Sequence, residues 1–135
     1  MKISEILSSK IDLVPDCVAR FVEKIKDLAF SSAQLFQIKL CLEEAIANAV
    51  CHGNQLNLEL PVEISLRVNQ DSLEIDVVSQ GEGFDFRKVD DPTKDKNMAK
   101  LNGRGIFLIK KNMDQVSFFD EGRGIKMIKF FQKAA

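Results

Sequence analysis

Glu44, Asn48 and His52 fall at i, i+4 and i+8 within the stretch Glu43-Glu44-Ala45-Ile46-Ala47-Asn48-Ala49-Val50-Cys51-His52-Gly53. On an α-helix, successive members of such a trio differ by only about 40° around the axis. A carboxylate, an amide and an imidazole then share one flank, beside the apolar stripe, at the edge where a helix meets a cleft. An asparagine in mid-helix has no intrinsic advantage, so its amide is expected to have a partner. Spacing alone serves a polar helix flank with a satisfied asparagine equally well. Glu43 points about 100° away and reads as solvated surface.

Two glycine signals lie downstream. Val78-Ser79-Gln80-Gly81-Glu82-Gly83-Phe84-Asp85 directly follows a predicted strand, and its two glycines let the backbone approach a ligand or take positive φ. Gly103-Arg104-Gly105-Ile106 is expected to open a helix. Unpaired N–H groups and the positive dipole end gather at such a terminus, and glycine admits a phosphate close to the backbone. In isolation, the first signal also suits a loop leaving a strand, and the second a hinge entering a helix.

Composition narrows the chemistry. His52 is the single histidine, which excludes zinc sites built on two or more histidines. Cys17, Cys41 and Cys51 are odd in number and form no C-x-x-C pair, as expected of reduced thiols in a cytoplasmic protein. Lysine plus arginine total 19 against 20 aspartate plus glutamate, a net charge of -1 that disfavours broad nucleic-acid binding. No apolar run approaches the ~18 residues of a membrane span, and Glu5 interrupts the N-terminus before any hydrophobic block, unlike a signal peptide. A chain of 135 residues suits one domain over 1–135, with roughly two-thirds of its unfolded surface buried.

The elements that must position these residues follow from periodicity. Residues 2–8 suit a short opening strand. Val14, Val18, Phe21, Val22, Ile25 and Leu28 recur at helical spacing, with Pro15 and Asp16 suited to the first turn. A second helix is predicted over Ser32–His52, with a serine N-cap, a buried stripe of Leu35, Ile38, Leu42, Ala45, Ile46 and Ala49, and Gly53 as a left-handed C-terminal cap. Val62, Ile64, Leu66 and Val68 alternate with polar residues as a strand, and Leu73, Ile75 and Val77 form its antiparallel neighbour. Residues 79–104 lack periodicity, as functional loops often do. A third helix carries Ile106, Ile109 and Met113, and a hairpin turning at 120–124 joins Val116–Phe119 to Ile125–Phe131. This order predicts an α/β two-layer sandwich, with helices on one face of a mixed, mainly antiparallel sheet.

Together, the acidic-amide helix, the glycine turn after a strand and the glycine-opened helix have the order and spacing of a known ATP site. The chain resembles the GHKL (Bergerat-fold, histidine-kinase-like) ATPase superfamily, and within it the small bacterial anti-sigma factors that are also serine-protein kinases. The resemblance spans nearly the whole chain and is most specific at 44–53, at 81–85, and at 103–109 followed by Met113-Asp114. It implies that Asn48 holds a Mg²⁺ bridging the phosphates of ATP, for which an amide oxygen is a suitable hard ligand. It makes Glu44 the general base for an attacking hydroxyl, and His52 a residue shaping the pocket or hydrogen-bonding at its edge. Gly81 and Gly83 would pass under the adenine with Phe84 beside them. Residues from about 86 to 102 would form a lid, with Lys94, Lys96, Lys100 and Arg104 available to phosphate. N–H groups near Gly103, Gly105 and Ile106 would cradle the phosphates.

Two positions depart from the family pattern. Ser79 stands where an aspartate usually accepts the adenine amino group, a change costing on the order of 1–2 kcal/mol, or about tenfold in affinity. Ile125-Lys126 follows Gly124 where a threonine is common. Weaker or altered ATP binding is the expectation. The implied activity is phosphoryl transfer to a serine of an anti-sigma factor antagonist, alternating with sequestration of a sigma factor, in a homodimer without direct nucleic-acid or membrane contact. Arg20, Lys24 and Lys26 are candidate partner contacts, or simply an exposed charged face. The competing reading is a nucleotide-independent partner-binding module of the same fold, favoured by Ser79 and Lys126 and opposed by the Glu44–Asn48 pair. Thiol chemistry between Cys51 and His52 is disfavoured, because adjacent helix residues diverge by about 100°.

Overall fold

The computed structural model describes residues 1–81 and 101–132, the side chains of 101–104 excepted. In chain order the elements are β1 (Lys2–Leu7), α1 (Val14–Ile25), α2 (Ser32–Asn48), β2 (Val62–Val68), β3 (Ser72–Val78), α3 (Leu101–Asn112), β4 (Gln115–Phe119) and β5 (Gly124–Phe130). The strands form one sheet in the order β1-β2-β3-β5-β4. Every described pairing is antiparallel, so the expected mixed sheet is antiparallel throughout these residues.

Alternation along the strands decides which face carries the helices. Val62, Ile64 and Leu66 are buried, as are Leu73, Ile75 and Val77, while Glu63, Arg67, Glu74 and Asp76 face the other way. The register keeps the two sets apart: Leu66 lies opposite Ile75, and Ile75 opposite Met127. The apolar face joins Val18, Phe21 and Ile25 of α1, Ile38, Leu42 and Ile46 of α2, and Ile106 and Ile109 of α3 in one core. Each such fully buried side chain contributes about 1.5–3 kcal/mol relative to exposure.

Local sequence sets the ends of the helices. The α2 N-cap is Ser31, whose Oγ accepts the Gln34 N–H at 3.1 Å while Gln34 Oε1 accepts the Ser31 N–H at 2.9 Å. This reciprocal box satisfies two otherwise unpaired donors. Pro15 and Asp16 occupy the first turn of α1, and α1 ends at Ile25, one turn before the predicted Leu28. At its other end α2 stops at Asn48 and continues as a single wide π-turn, Ala49–Gly53, closed by the Asn54 N–H donating to the Ala49 carbonyl at 2.8 Å.

The left-handed cap expected at Gly53 does not form there. Gln55 and Leu56 carry the positive φ values, 51° and 61°. Gly53 is required for a different reason, since a Cβ at this position would sit 2.5 Å from Ser79 Oγ. Helix α3 begins at Leu101, two residues before Gly103, so both expected opening glycines lie inside it. Lys129, 6% exposed, donates from Nζ to the carbonyl of Asn112 and to Gln37 Oε1, placing a cation at the negative end of α3. Among the described residues, no helix is long and apolar enough to cross a membrane.

Candidate functional site

The flank of α2 opens on a cleft of about 480 Å³ whose described lining includes Glu44, Asn48, Cys51 and His52 from α2 and the π-turn, and Gly105 and Leu108 from α3. The predicted trio therefore meets at one cavity even though the π-turn changes the helical phase after Asn48. Helix α3 crosses close to α2 at Gly105, where a Cβ would lie 2.8 Å from Glu44 Oε2 and 2.9 Å from Asn48 Nδ2. Only glycine lets the two helices approach this closely without displacing those groups.

Asn48 Nδ2 is buried and has no hydrogen-bond partner among the described residues. A buried polar atom left unsatisfied costs about 1–3 kcal/mol, and the described residues supply no partner for this amide at that atom. The two ends of an amide are exchanged by a flip of the side chain. A flipped Asn48 turns a carbonyl oxygen to the same point, one turn from the Glu44 carboxylate. A hard divalent cation that completes its shell with water and phosphate oxygens needs little more from a protein. The described residues contain no cluster of three or more His, Cys, Asp or Glu able to hold a metal by themselves. The donor set thus fits a cation held by one amide oxygen and shared with a ligand.

Asn48 also borders a second, smaller hollow of about 30 Å³, lined in part by Ser79, Ile106, Phe118, Arg123 and Ile125. Ser79 is 3% exposed; its N–H donates to the Arg123 carbonyl at 2.9 Å, and its hydroxyl reaches the same oxygen at 3.3 Å. Ser79 and Asn48 line this same hollow, with the Ser79 hydroxyl directed at the backbone. Lys126 points away from both cavities: its Nζ pairs with Glu74 Oε1 at 2.7 Å on the outer face of the sheet. The case that Lys126 made for a nucleotide-independent module therefore falls, while Ile125 remains a lining residue.

Other expectations meet the structure unevenly. Ile106 is 2% exposed and packs at the small hollow. The amides of Gly105 and Ile106 lie within the hydrogen-bonded ladder of α3, because only the first turn of a helix leaves N–H groups free. Gly103 lies in the first turn of α3. Gly83, Phe84, residues 86–100 of the expected lid and the Arg104 side chain lie outside the described residues. Glu43 is half-buried rather than solvated. Arg20 pairs with Glu5 and Lys26 with Glu23, both at the exposed surface.

The thiols are free. Burial pushes Cys17 up to about 11 and Cys41 up to about 12, so both are inert at neutral pH.

Two residues of this region escape sequence reasoning. Asn54, 1% exposed, donates to Ser9 Oγ and to the carbonyls of Leu60 and Pro61, and its Oδ1 accepts the N–H groups of Gln80 and Gly81, both at 2.8 Å. Arg123 donates from Nε to the Gly81 carbonyl at 2.7 Å. Neither has a sequence signal, because most of their partners are backbone groups.

Residues 7–129 match the family described as the histidine kinase-like ATPase domain. Similar proteins include the serine-protein kinase RsbW of Listeria monocytogenes serovar 1/2a, 31% identical over 111 residues that cover 77% of this chain and 71% of the relative. The serine-protein kinase RsbW of Staphylococcus epidermidis is 32% identical over 103 residues, covering 70% and 65% of the two chains.

Proposed function

The chain belongs to the histidine kinase-like ATPase family, and from that premise we propose that it is a protein-serine kinase using Mg-ATP, and an anti-sigma factor. The observation that carries the reading is the meeting of Glu44, Asn48 and Gly105 at one cleft, with a buried Asn48 amide end that no group among the described residues satisfies. Similarity to proteins named serine-protein kinase supports the same activity.

Asn48, through its side-chain oxygen, would hold Mg²⁺, which would supply neutralisation of phosphate charge. Glu44 accepts the proton of the incoming serine hydroxyl. The serine oxygen then bonds to the γ-phosphorus, the bond from that phosphorus to the β–γ bridging oxygen breaks, and ADP leaves with the electron pair. Free N–H groups in the first turn of α3, at Gly103, add positive potential for phosphate. His52 shapes the open edge of the cleft. Ser79 faces the adenine side, where a neutral hydroxyl replaces a carboxylate acceptor, and nucleotide affinity is correspondingly modest.

The phosphorylated protein is an anti-sigma factor antagonist, the sequestered one a sigma factor, and the working form a cytoplasmic homodimer. Transfer of labelled phosphate from ATP to that antagonist tests the assignment of the base. Glu44→Gln is expected to keep Mg-ATP affinity within about twofold and to lose transfer by about 10²-fold or more. Transfer by Glu44→Gln at the wild-type rate contradicts the role given to Glu44.

A further inference from the structure

Asn54 lies at the exit of the π-turn, outside the phosphate-side trio, yet it uses its amide more fully than any other described side chain. Its nitrogen reaches three acceptors: Ser9 Oγ at 2.9 Å, the Leu60 carbonyl at 2.9 Å and the Pro61 carbonyl at 3.0 Å. An amide nitrogen carries only two hydrogens, so these acceptors share them in a bifurcated arrangement. Its oxygen accepts the consecutive N–H groups of Gln80 and Gly81, each at 2.8 Å, filling both lone pairs. One buried side chain therefore ties the chain after β1, the approach to β2, the end of α2 and the exit of β3.

The turn at Gly81 is held from its other side as well. The Arg123 guanidinium donates to the Gly81 carbonyl at 2.7 Å, and the Arg123 carbonyl receives the Ser79 N–H at 2.9 Å. Below the turn, a Cβ on Gly81 would run into the Gly53 carbonyl oxygen. Gly81 is thus seated on the π-turn and fixed at both its N–H and its C=O. These bonds fix the two peptide units that meet at the Gly81 Cα, just beyond the end of β3.

We propose that Asn54, with Arg123, is a positioning residue for nucleotide: it holds the Ser79–Gly81 turn in the geometry that receives the base, without touching the transferring phosphate. The inference rests on the kinase reading above. Glu44 and Asn48 reach the site from α2, and neither bonds to this turn. Loosening it therefore weakens nucleotide capture while leaving the transfer step, once nucleotide is bound, close to its normal rate.

The test measures Mg-ATP binding by calorimetry, phosphotransfer kinetics, and amide hydrogen exchange in the full chain. Asn54→Ala is expected to raise KM for ATP by about tenfold or more, with kcat changed by no more than about twofold. Exchange at the Gln80 and Gly81 amides is expected to rise by about tenfold or more, while Ile75 and Val77 within β3 stay protected. Arg123→Ala, at a side chain 31% exposed, keeps the assay decisive should Asn54→Ala fail to fold, and is expected to raise KM in the same pattern by about threefold or more. A core truncation remote from the turn, Ile25→Val, controls for general destabilisation and is expected to leave KM unchanged. Wild-type KM in the foldable variants, an equal rise in the Ile25→Val control, or a loss confined to kcat overturns the positioning role while the kinase reading stands. A wild-type chain that binds no Mg-ATP overturns both.

Discussion

At the scale of single residues, Asn48 is the most unusual group in the molecule. Its amide nitrogen, on the helix that forms much of the core, is buried without a partner among the described residues. Removing it discards an unsatisfied group and substitutes a better helix former. Asn48→Ala is therefore expected to fold with a Tm equal to or slightly above wild type, read by calorimetric melting, and a drop of more than about 5 °C would show that the amide is structural. The i, i+4 spacing made Glu44 and Asn48 legible in the sequence, because the period of a helix brings them to one flank; His52 reaches the same cleft by way of the π-turn. Asn54 and Arg123 were not legible: their partners are mainly carbonyls and N–H groups that a sequence does not distinguish. Lys126 was legible only as a departure from a pattern; the pleat of β5 turned it to Glu74 on the outer face.

At the scale of elements, the crossing of α3 over α2 decides the site. Gly105 costs α3 about 1 kcal/mol in helix propensity relative to alanine. That cost is offset by the close approach that puts Glu44 and Asn48 against the α3 backbone. Gly105→Ala is expected to retain a wild-type far-UV circular dichroism spectrum while losing phosphotransfer by about tenfold or more, since the new methyl displaces both polar groups. Normal transfer by this variant would mean that the two helices separate during turnover.

The strands and α2 followed from periodicity, and the Ser31 box from its composition. The π-turn after Asn48 and the start of α3 at Leu101 did not, because a five-residue turn has no periodic signature and spacing does not distinguish a glycine that opens a helix from one, such as Gly105, that lets two helices pack closely.

The outer face of the sheet supplies a pH-dependent test. Asp76 has a buried Oδ1 without a partner among the described residues, and desolvation raises its pKa above the ordinary 3.8, opposed by the nearby Lys126 cation. A carboxyl whose folded pKa is raised is least favourable once ionised, so its penalty is complete at neutral pH and fades as pH falls through that raised value. Asp76→Asn is expected to raise Tm at pH 7, with the gain shrinking on acidification. Glu74 acts in the opposite sense: its hydrogen bond to Lys126 lowers its pKa, giving stability at neutral pH that is lost as acid protonates it. A Tm difference between Asp76→Asn and wild type that is independent of pH would contradict this account.

At the scale of the whole molecule, the antiparallel sheet and the three α-helices of the described residues bring helix flank, strand exit and hairpin together. Asn48 stands at the centre of that convergence, between the open cleft and the small hollow beside Ser79. The near-neutral charge of the chain supplies no general attraction for polyanions, so binding of a triphosphate depends on local donors and a cation. Titration calorimetry of Mg-ATP into the wild-type chain and into Asn48→Ala tests this most directly. The account predicts saturable binding at one site per chain that is lost with EDTA and lost in Asn48→Ala. Equal binding by the two proteins, or binding indifferent to EDTA, would contradict it.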